Sequence, residues 1–256
     1  MAVAIAIRDA TAQELWVCDL GAVRYLDAVH IQEQVRARRQ AGELPDTLLL
    51  VEHPPVYTLG RRAAREELPF SEDFYEARGI EVHECDRGGR VTYHGPGQLI
   101  GYPIVAVDDV HAYVRALESA IVAALEREGI AARARSSEGP HYTGVWVDER
   151  KIASIGVHVQ RGVTTHGFAV NVCNALEPFG WIIACGLPGV SMTSLQRERG
   201  RAVDAESFRA LVVESLCAAL AMRCAHVAPA QLGLATTHAA TASASEPPLE
   251  ASAVPA

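Results

Sequence analysis

The chain has 256 residues, of which 49% are hydrophobic, and its formal net charge is −8 at pH 7. The hydrophobic fraction is normal for a globular protein, and the negative charge argues against general nucleic-acid binding, which needs a basic face. No apolar run reaches the ~18–20 residues of a membrane span, and residues 1–7 are too short and lack the leading positive charge of a secretory signal. We therefore expect a cytoplasmic protein without a membrane or nucleic-acid partner.

Strands and single helices follow one another irregularly in the first half of the chain. The run Thr47–Glu52 is apolar throughout, which predicts a buried strand, and Pro54 and Pro55 end it because proline lacks a backbone donor. Ser71 is predicted to cap a short helix that ends near Arg78. A longer helix is predicted over Val23–Ala41, and further strands over Glu14–Leu20, Val56–Leu59, Ile80–Glu84, Arg90–His94 and Leu99–Val107.

The second half contains the two clearest helices. Apolar residues at helical spacing predict them over His111–Glu128, which Gly129 ends, and over Asp204–Met222. Strands are predicted over Gly144–Asp148 and Lys151–Gln160, as a hairpin, and over His166–Val172. Because strands come in runs broken by single helices, the pattern predicts an α+β fold.

Composition predicts a folded domain over residues 14–227. Residues 1–13 are expected to be disordered or to add an edge strand. From about Pro229 onward Ala, Thr, Ser and Pro dominate, and such a segment buries too little apolar surface to offset the entropy cost of ordering. Residues 228–256 are therefore expected to be a disordered tail.

Lys151 is the only lysine among 23 basic residues. Arginine does not release its proton in proteins, whereas an ammonium can, so Lys151 is a candidate for acid or base catalysis. It begins an alternation with Ala153, Ile155, Val157 and Val159, which predicts that all five share one strand face. Two other interpretations remain open: a remnant of an arginine-biased composition, or an ammonium that extends to water.

Six cysteines are present, and none has the pairing or spacing of a zinc site. No metal site is expected, and the thiols are expected to be reduced. Cys185 is favoured as a reactive thiol because it follows a strand-like apolar run and precedes Gly186, a junction where backbone N–H groups can stabilise an oxyanion. Cys173 is left open. The others are interpreted as packing residues: Cys18, Cys85, Cys217 and Cys224.

The segment Asp86–Tyr102 holds five glycines. Glycine lets the backbone approach a ligand closely or adopt positive φ. The segment is neither a Walker loop, since no GK[ST] follows, nor a dinucleotide fingerprint, since it opens a strand. A pair of glycine-rich hairpin turns is the alternative interpretation. His94, taken alone, is interpreted as a hydrogen-bonded structural residue.

Five segments together carry a family resemblance. They are RGGRVTYHGPGQ (Arg87–Gln98), RKIASIG (Arg150–Gly156), HGFAVNV (His166–Val172), CGL…TSL (Cys185–Leu195) and, more weakly, LLLVEHPPVYTLGRR (Leu48–Arg62). The chain resembles the lipoyl(octanoyl) transferases of the biotin and lipoate protein ligase superfamily over about residues 14–225. The resemblance implies an α+β catalytic domain whose mixed, largely antiparallel sheet is flanked by helices.

The resemblance also implies a site. Cys185 would carry the acyl group as a thioester, and Lys151 would favour its reactive thiolate. No metal and no cofactor are implied, since the acyl group arrives on the phosphopantetheine of acyl carrier protein. The implied acyl-binding residues are Arg87, Gly88, Gly89, Arg90, Val91, Thr92, Tyr93, His94, Ser154, Ile155, Gly156, Gly167, Phe168 and Ala169.

The implied reaction transfers octanoyl from octanoyl-acyl carrier protein to a lysine of lipoyl domains, the first step of endogenous lipoate biosynthesis. Implied acceptors are the lipoyl domains of 2-oxoacid dehydrogenase E2 subunits and the glycine cleavage H protein, and the enzyme is expected to be a monomer. These partners are usually acidic, so docking would need a local basic patch. Arg61, Arg62 and Arg65 are the candidates, with a solvated loop as the alternative.

Three rival functions remain open at this stage. An ATP-dependent lipoate or biotin ligase would share the fold but need no nucleophilic cysteine, so Cys185 favours the transferase. A non-catalytic acyl-binding or lipoyl-domain-binding protein would leave Cys185 and Lys151 incidental. A cysteine hydrolase lacks the expected Cys-His-Asn order. One departure from the family is Ala184, where many members have proline.

Overall fold

The computed structural model describes residues 14–187 and 189–234, so residues 1–13 and 235–256 of the expected end segments lie outside it. The strands are β1 Glu14–Ala22, β2 Thr47–Glu52, β3 Val56–Leu59, β4 Glu81–Glu84, β5 Val91–His94, β6 Gln98–Ile104, β7 Arg133–Ala134, β8 Gly144–Val147, β9 Arg150–Gln160, β10 Val163–Asn171, β11 Ser191–Met192 and β12 Arg223–His226. The helices are α1 Tyr25–Gln40, α2 Glu72–Glu76, α3 Val110–Arg127, α4 Leu195–Arg199 and α5 Ala205–Ala219.

Nine strands of the described ranges form one sheet, in the order β12-β1-β2-β6-β10-β9-β8-β7, with β11 beside β9. Along the spatial order β2-β6-β10-β9-β8-β7, every neighbouring pair is antiparallel. The pairs β12–β1, β1–β2 and β11–β9 are parallel. The α+β class and the mixed, largely antiparallel sheet are therefore confirmed. A second sheet has the order β4-β3-β5, so β4 and β5 each pair with β3 and not with each other.

The main sheet is buried on both faces, which explains the continuous apolar run of β2. Leu48 and Leu50 enter the core cluster formed with α3 and α5, whereas Leu49 and Val51 enter the one formed with α1. Neighbouring side chains on a strand point to opposite faces, so a strand covered on both sides needs apolar residues at every position.

The two long predicted helices are confirmed, and aspartates begin both of them. Asp109 accepts hydrogen bonds from the N–H groups of His111 and Ala112 at the start of α3. Asp204 accepts from Glu206 and Ser207 at the start of α5. Such caps satisfy backbone donors that have no partner inside the helix. None of the helices in the described ranges combines the length and apolar character needed to cross a membrane.

The ordered chain extends beyond the predicted boundary at residue 227. Residues Pro229–Leu232 form a 3₁₀ helix, and the side chain of Leu232 is only 1% exposed against the α1 core cluster. The guanidinium of Arg38 donates to the carbonyl of Leu232 at 2.6 Å. The predicted disorder of residues 228–234 is therefore wrong, because Leu232 packs into that core cluster and the hydrogen bond from Arg38 fixes the backbone beyond the predicted boundary.

Cys217 and Cys224 form a disulfide, contrary to the prediction of reduced packing residues. The chain leaves α5 and turns back into β12, which brings the two Cα atoms to 6.2 Å. A spacing of seven residues is not diagnostic of a disulfide, because only the reversal after the helix brings the side chains together.

Candidate active site

A cavity of about 710 Å³ lies between β9, β10, the β4–β5 loop and the turn that carries Cys185. It collects residues from all four strongly matching motifs of the sequence. The cavity is lined by Arg87, Gly88, Gly89, Arg90, Val91, Thr92, His94, Lys151, Ser154, Ile155, Gly156, Gly167, Phe168, Ala169 and Cys185. The acyl-binding role of these residues stays a prediction, but one cavity gathers them.

Tyr93 is the one predicted site residue that does not line this cavity. Its ring packs against Tyr57 and Phe179 in a separate aromatic cluster. Thr92 and His94, its neighbours on β5, do line the cavity. Adjacent side chains on a strand point to opposite faces, which directs the Tyr93 ring away from the side of Thr92 and His94.

Lys151 is buried at the start of β9, with 2% exposure. Its Nζ donates to the carbonyl oxygen of Thr143 at 2.9 Å and to Sγ of Cys185 at 3.3 Å. The ammonium also lies 5.2 Å from the ring centre of Trp146. Burying a charge is costly unless other contacts replace those to water, and the carbonyl, the sulfur and the ring face take their place here.

A β-bulge turns Lys151 away from the face that the sequence predicted. Between β8 and β9, Trp146 pairs with Lys151 and Val145 pairs with Ala153, so Ile152 has no partner in the register. Val145 and Trp146 are adjacent on β8 and therefore point to opposite faces of the sheet. Because cross-strand partners share a face, Lys151 and Ala153 also point to opposite faces. The predicted common face is therefore wrong at Lys151.

Cys185 lies in the 3₁₀ turn Ala184–Gly186, with φ of +57°, instead of at the end of a strand. Positive φ is sterically unfavourable for a residue with a side chain, so the surrounding contacts must hold it. Arg90 packs against Gly186 and forms an ion pair with the buried Glu67. The carbonyl of Glu67 accepts from the N–H of Ile183 at 2.9 Å, which fixes the approach to the turn.

Backbone pairing beyond Cys185 brings this turn beside the start of β9. Strand β11 pairs in parallel with Arg150 and Lys151. The N–H of Thr193 then donates to the carbonyl of Lys151 at 3.0 Å. The pairing holds the two candidate residues in contact although they are 34 positions apart in the sequence. An ammonium at this distance stabilises a thiolate, which is the nucleophilic form of cysteine.

The glycine-rich loop lies flat against β9. The N–H of Gly88 donates to the carbonyl of Val157 at 2.9 Å. At Gly156 a Cβ would lie 2.7 Å from the carbonyl oxygen of Gly88, so this close approach requires glycine. Arg87 is buried behind the loop and donates to the carbonyl of Thr58 at 2.7 Å and to that of Arg90 at 2.9 Å. Arg87 therefore organises the loop through backbone contacts.

His94 is a buried, neutral histidine held in a hydrogen-bond network. Burial places the pKa of His94 well below its usual range. Its Nδ1–H donates to Oε1 of Gln98 at 2.8 Å, and Gln98 in turn donates to Asn171 at 2.9 Å. This arrangement agrees with the structural interpretation of His94.

Asp86 and His166 form a second polar contact at the cavity. The hydrogen bond from Nε2–H of His166, 2.8 Å long, lowers the pKa of Asp86 to about 2. Burial lowers the pKa of His166 despite the adjacent carboxylate, so the imidazole is neutral. The pair fastens the first residue of the glycine-rich loop to β10. Asp86 directly precedes the motif that starts at Arg87, and His166 begins the motif His166–Val172, but neither was assigned a role from the sequence.

The predicted basic patch reaches the cavity at one residue, and several other lining residues were not predicted. Arg62 lines the cavity, whereas Arg61 and Arg65 do not. Arg65 forms an ion pair with Glu72 at 3.7 Å. Further lining residues outside the recognised motifs include His111, Arg115, His141 and Thr143. They come from α3 and from the loop before β8, which carry no motif signal.

Comparison with known proteins is consistent with this geometry. Residues 24–217 match the lipoyl protein ligase A/B catalytic domain. The chain is 52% identical over 182 residues to an octanoyltransferase of Solibacter usitatus, covering 69% of this chain and 81% of that protein. It is 45% identical over 196 residues to an octanoyltransferase of Caldicellulosiruptor saccharolyticus, covering 75% and 82%. The chain also aligns with the crystal structure of lipoate-protein ligase A bound with ATP, with a TM-score of 0.68 and 16% sequence identity. The alignment covers 87% of this chain and 92% of that one, so the two share a fold.

Proposed function

Because the chain belongs to the lipoyl protein ligase A/B catalytic domain family, we propose that it transfers an octanoyl group from a carrier-protein thioester to a protein lysine, with Cys185 as the intermediate acyl carrier. It is an acyltransferase, as its octanoyltransferase relatives of 52% and 45% identity are. The observation that carries the covalent step is the 3.3 Å contact between Nζ of Lys151 and Sγ of Cys185.

The first half-reaction acylates the cysteine. The Cys185 thiolate attacks the carbonyl carbon of the donor thioester, forming a new carbon–sulfur bond as the bond to the carrier sulfur breaks. Lys151 gives a proton to the departing carrier thiolate and becomes a neutral amine. One thioester replaces another, so the step is nearly neutral in free energy and needs no ATP.

The second half-reaction restores the starting pair. The amine of the acceptor lysine attacks the Cys185 thioester, and neutral Lys151 accepts the proton that this amine loses. An amide forms, and Cys185 leaves as a thiolate beside the restored ammonium. Positioned proton transfer of this kind typically contributes ~10²–10⁴-fold in rate. Arginine cannot perform it because guanidinium does not give up its proton.

The cavity supports an acyl substrate. Val91, Ile155 and Phe168 give it apolar walls, and the backbone at Gly88 and Gly156 forms one side without side chains. Apolar walls favour a hydrocarbon chain, and the few polar groups lie near Cys185 and Lys151 where the carbonyl must sit. No cofactor takes part in this scheme.

The partners follow from the same proposal. The donor is octanoyl-acyl carrier protein, and the acceptors are lipoyl domains of 2-oxoacid dehydrogenase E2 subunits and the glycine cleavage H protein. Arg61 and Arg62 are exposed and form no ion pair within the described ranges, and Arg62 lines the cavity, so both guanidinium groups are available to an acidic partner. We place the enzyme in the cytoplasm, where these partners act, as a monomer.

Intact-protein mass spectrometry tests the proposal. The wild type, Cys185→Ser and Cys173→Ser are incubated with octanoyl carrier protein without ATP; Cys173 is exposed and lies outside the cavity. A hydroxylamine-labile octanoyl adduct is expected on the wild type and Cys173→Ser but not on Cys185→Ser. No adduct without ATP, followed by acceptor modification once ATP and free octanoate are added, would assign the ligase reaction and overturn the thioester step.

A further inference from the structure

Glu118 is a buried carboxylate that lies outside the cavity and that no step above uses. It sits on α3 with 1% exposure and forms no ion pair among the described residues. Its Oε1 accepts the N–H of Gly144 and its Oε2 accepts the hydroxyl of Ser136, each at 2.8 Å. Burying a carboxylate without a cationic partner costs free energy of folding, and the two hydrogen bonds offset part of this cost. The groups that these hydrogen bonds hold in place are therefore candidates for a functional role.

The two hydrogen bonds fix both ends of the loop before β8. Ser136 begins this loop and Gly144 ends it, and between them Gly139, Pro140 and Thr143 line the cavity. Glu118 therefore anchors, from behind, one wall of the site without touching the space where a substrate would lie.

One peptide unit connects Glu118 to the reactive pair. The N–H of the Thr143–Gly144 peptide donates to Glu118, and the carbonyl of that same peptide accepts from Nζ of Lys151 at 2.9 Å. A carboxylate at the N–H end polarises the peptide and makes its carbonyl oxygen a stronger acceptor for the ammonium. Nζ is thereby held where its next contact is Sγ of Cys185 at 3.3 Å.

Gly144 is fitted to this arrangement. Its φ is +129°, and a Cβ at this position would overlap the carbonyl oxygen of Ala153 and lie 2.9 Å from Cε of Lys151. A side chain here would therefore displace the peptide from β9, the lysine, or both. The peptide orientation that serves both Glu118 and Lys151 therefore depends on glycine.

We infer that Glu118 is a positioning residue for the proposed acyl transfer, which aims the Lys151 ammonium at Cys185 through the Thr143–Gly144 peptide. The inference rests on the proposed function, because the pair on which Glu118 acts is the proposed nucleophile and its proton donor. Its effect on the chemistry passes through Lys151, and it also anchors one wall of the cavity, so its loss should reduce the rates of the chemical steps more than substrate binding.

The test compares Glu118→Ala with Glu118→Gln. Alanine leaves the Gly144 N–H without its acceptor, and loss of a hydrogen bond to a buried charge should lower kcat about 100-fold. The KM for carrier protein should change much less than kcat, since Glu118 itself does not line the cavity and reaches it only through Ser136 and the Thr143–Gly144 peptide. Glutamine can accept from Gly144 and donate to the Ser136 hydroxyl, so it should keep kcat within about tenfold of wild type.

A second readout needs no acyl substrate. The rate of Cys185 alkylation by iodoacetamide should fall about tenfold in Glu118→Ala and recover in Glu118→Gln, because alkylation reports the thiolate. This result stands even if the mass-spectrometry experiment assigns the reaction to an ATP-dependent ligase, so the two failures are distinguishable. Glu126→Gln is the matched control, since Glu126 is an exposed residue of the same helix.

Folded Glu118→Ala with wild-type alkylation and kcat would overturn the inference, as would a folded glutamine variant as impaired as alanine. If either variant is too unstable to assay, amide hydrogen exchange of the wild-type chain decides. The Gly144 N–H should be protected from exchange; exchange as fast as that of exposed loop amides would overturn the inference.

Discussion

Replacing Lys151 by arginine separates charge from proton transfer. The variant keeps a cation in contact with the thiol but cannot release a proton. If Lys151 acts in both half-reactions, kcat should fall by ~10²–10⁴-fold, the usual contribution of a positioned acid or base. The site is also tight: Lys151 is 2% exposed, with Trp146, Thr143 and Cys185 around its Nζ. The larger guanidinium should therefore cost a further ~1–3 kcal/mol of stability through overpacking.

The assay follows each half-reaction by rapid quenching and mass spectrometry, with melting temperature measured alongside. Acyl transfer from Cys185 to the acceptor amine should slow more than formation of the thioester, because only the former needs Lys151 as a base. Arg150→Lys is the matched control: Arg150 is adjacent, and its guanidinium pairs with Glu198 outside the cavity. Turnover near the wild-type value in a folded Lys151→Arg variant would refute proton transfer by Lys151.

Two further predictions concern stability. Burial lowers the pKa of His53 from 6.5 to about 4. As the pH falls below 6.5, His53 is therefore protonated in the unfolded chain before it is protonated in the folded one. The contribution of neutral His53 to the free energy of unfolding is complete above pH 6.5, and about 3 kcal/mol of it is lost as the pH falls through 4. Urea unfolding between these values should show this decline, and a His53→Gln variant with the same pH slope would contradict it. Leu232→Ala should lower the free energy of unfolding by ~2–5 kcal/mol, because it opens a cavity beneath α1. Leu26→Ala is the control: Leu26 is 52% exposed, so this variant should change the melting temperature little. Equal changes in melting temperature in the two variants would contradict the packing of residues 229–232.

Local patterns predicted the longer elements of this fold, but not short ones such as α4 and β12, and they carried little information on how the elements pair. The apolar run of β2 and the spacing in α3 report burial, which the sequence encodes directly. The pairing of β1 with β12 joins residues near both ends of the folded domain, such as Glu14 with Arg223. No periodicity within either strand specifies that partner, because hydrogen bonds between backbones are not residue-specific.

The same limit applies to the site. The motifs identified Cys185 and Lys151, and the family resemblance supplied their pairing. The bulge at Ile152, which turns Lys151 off its predicted face, depends on cross-strand register and has no local sequence signal. The support from Glu118 was equally hidden, since it passes through the backbone of Thr143 and Gly144.

The position of β12 has a consequence for how this protein is made. β1 is among the first described segments to leave the ribosome, whereas its neighbour Arg223–His226 emerges about two hundred residues later. Until then one edge of β1 presents unpaired backbone groups, which are templates for pairing with other chains. Pairings between distant segments also form slowly. Nascent chains stalled before residue 223 should therefore recruit ribosome-associated chaperones more strongly than chains released at full length.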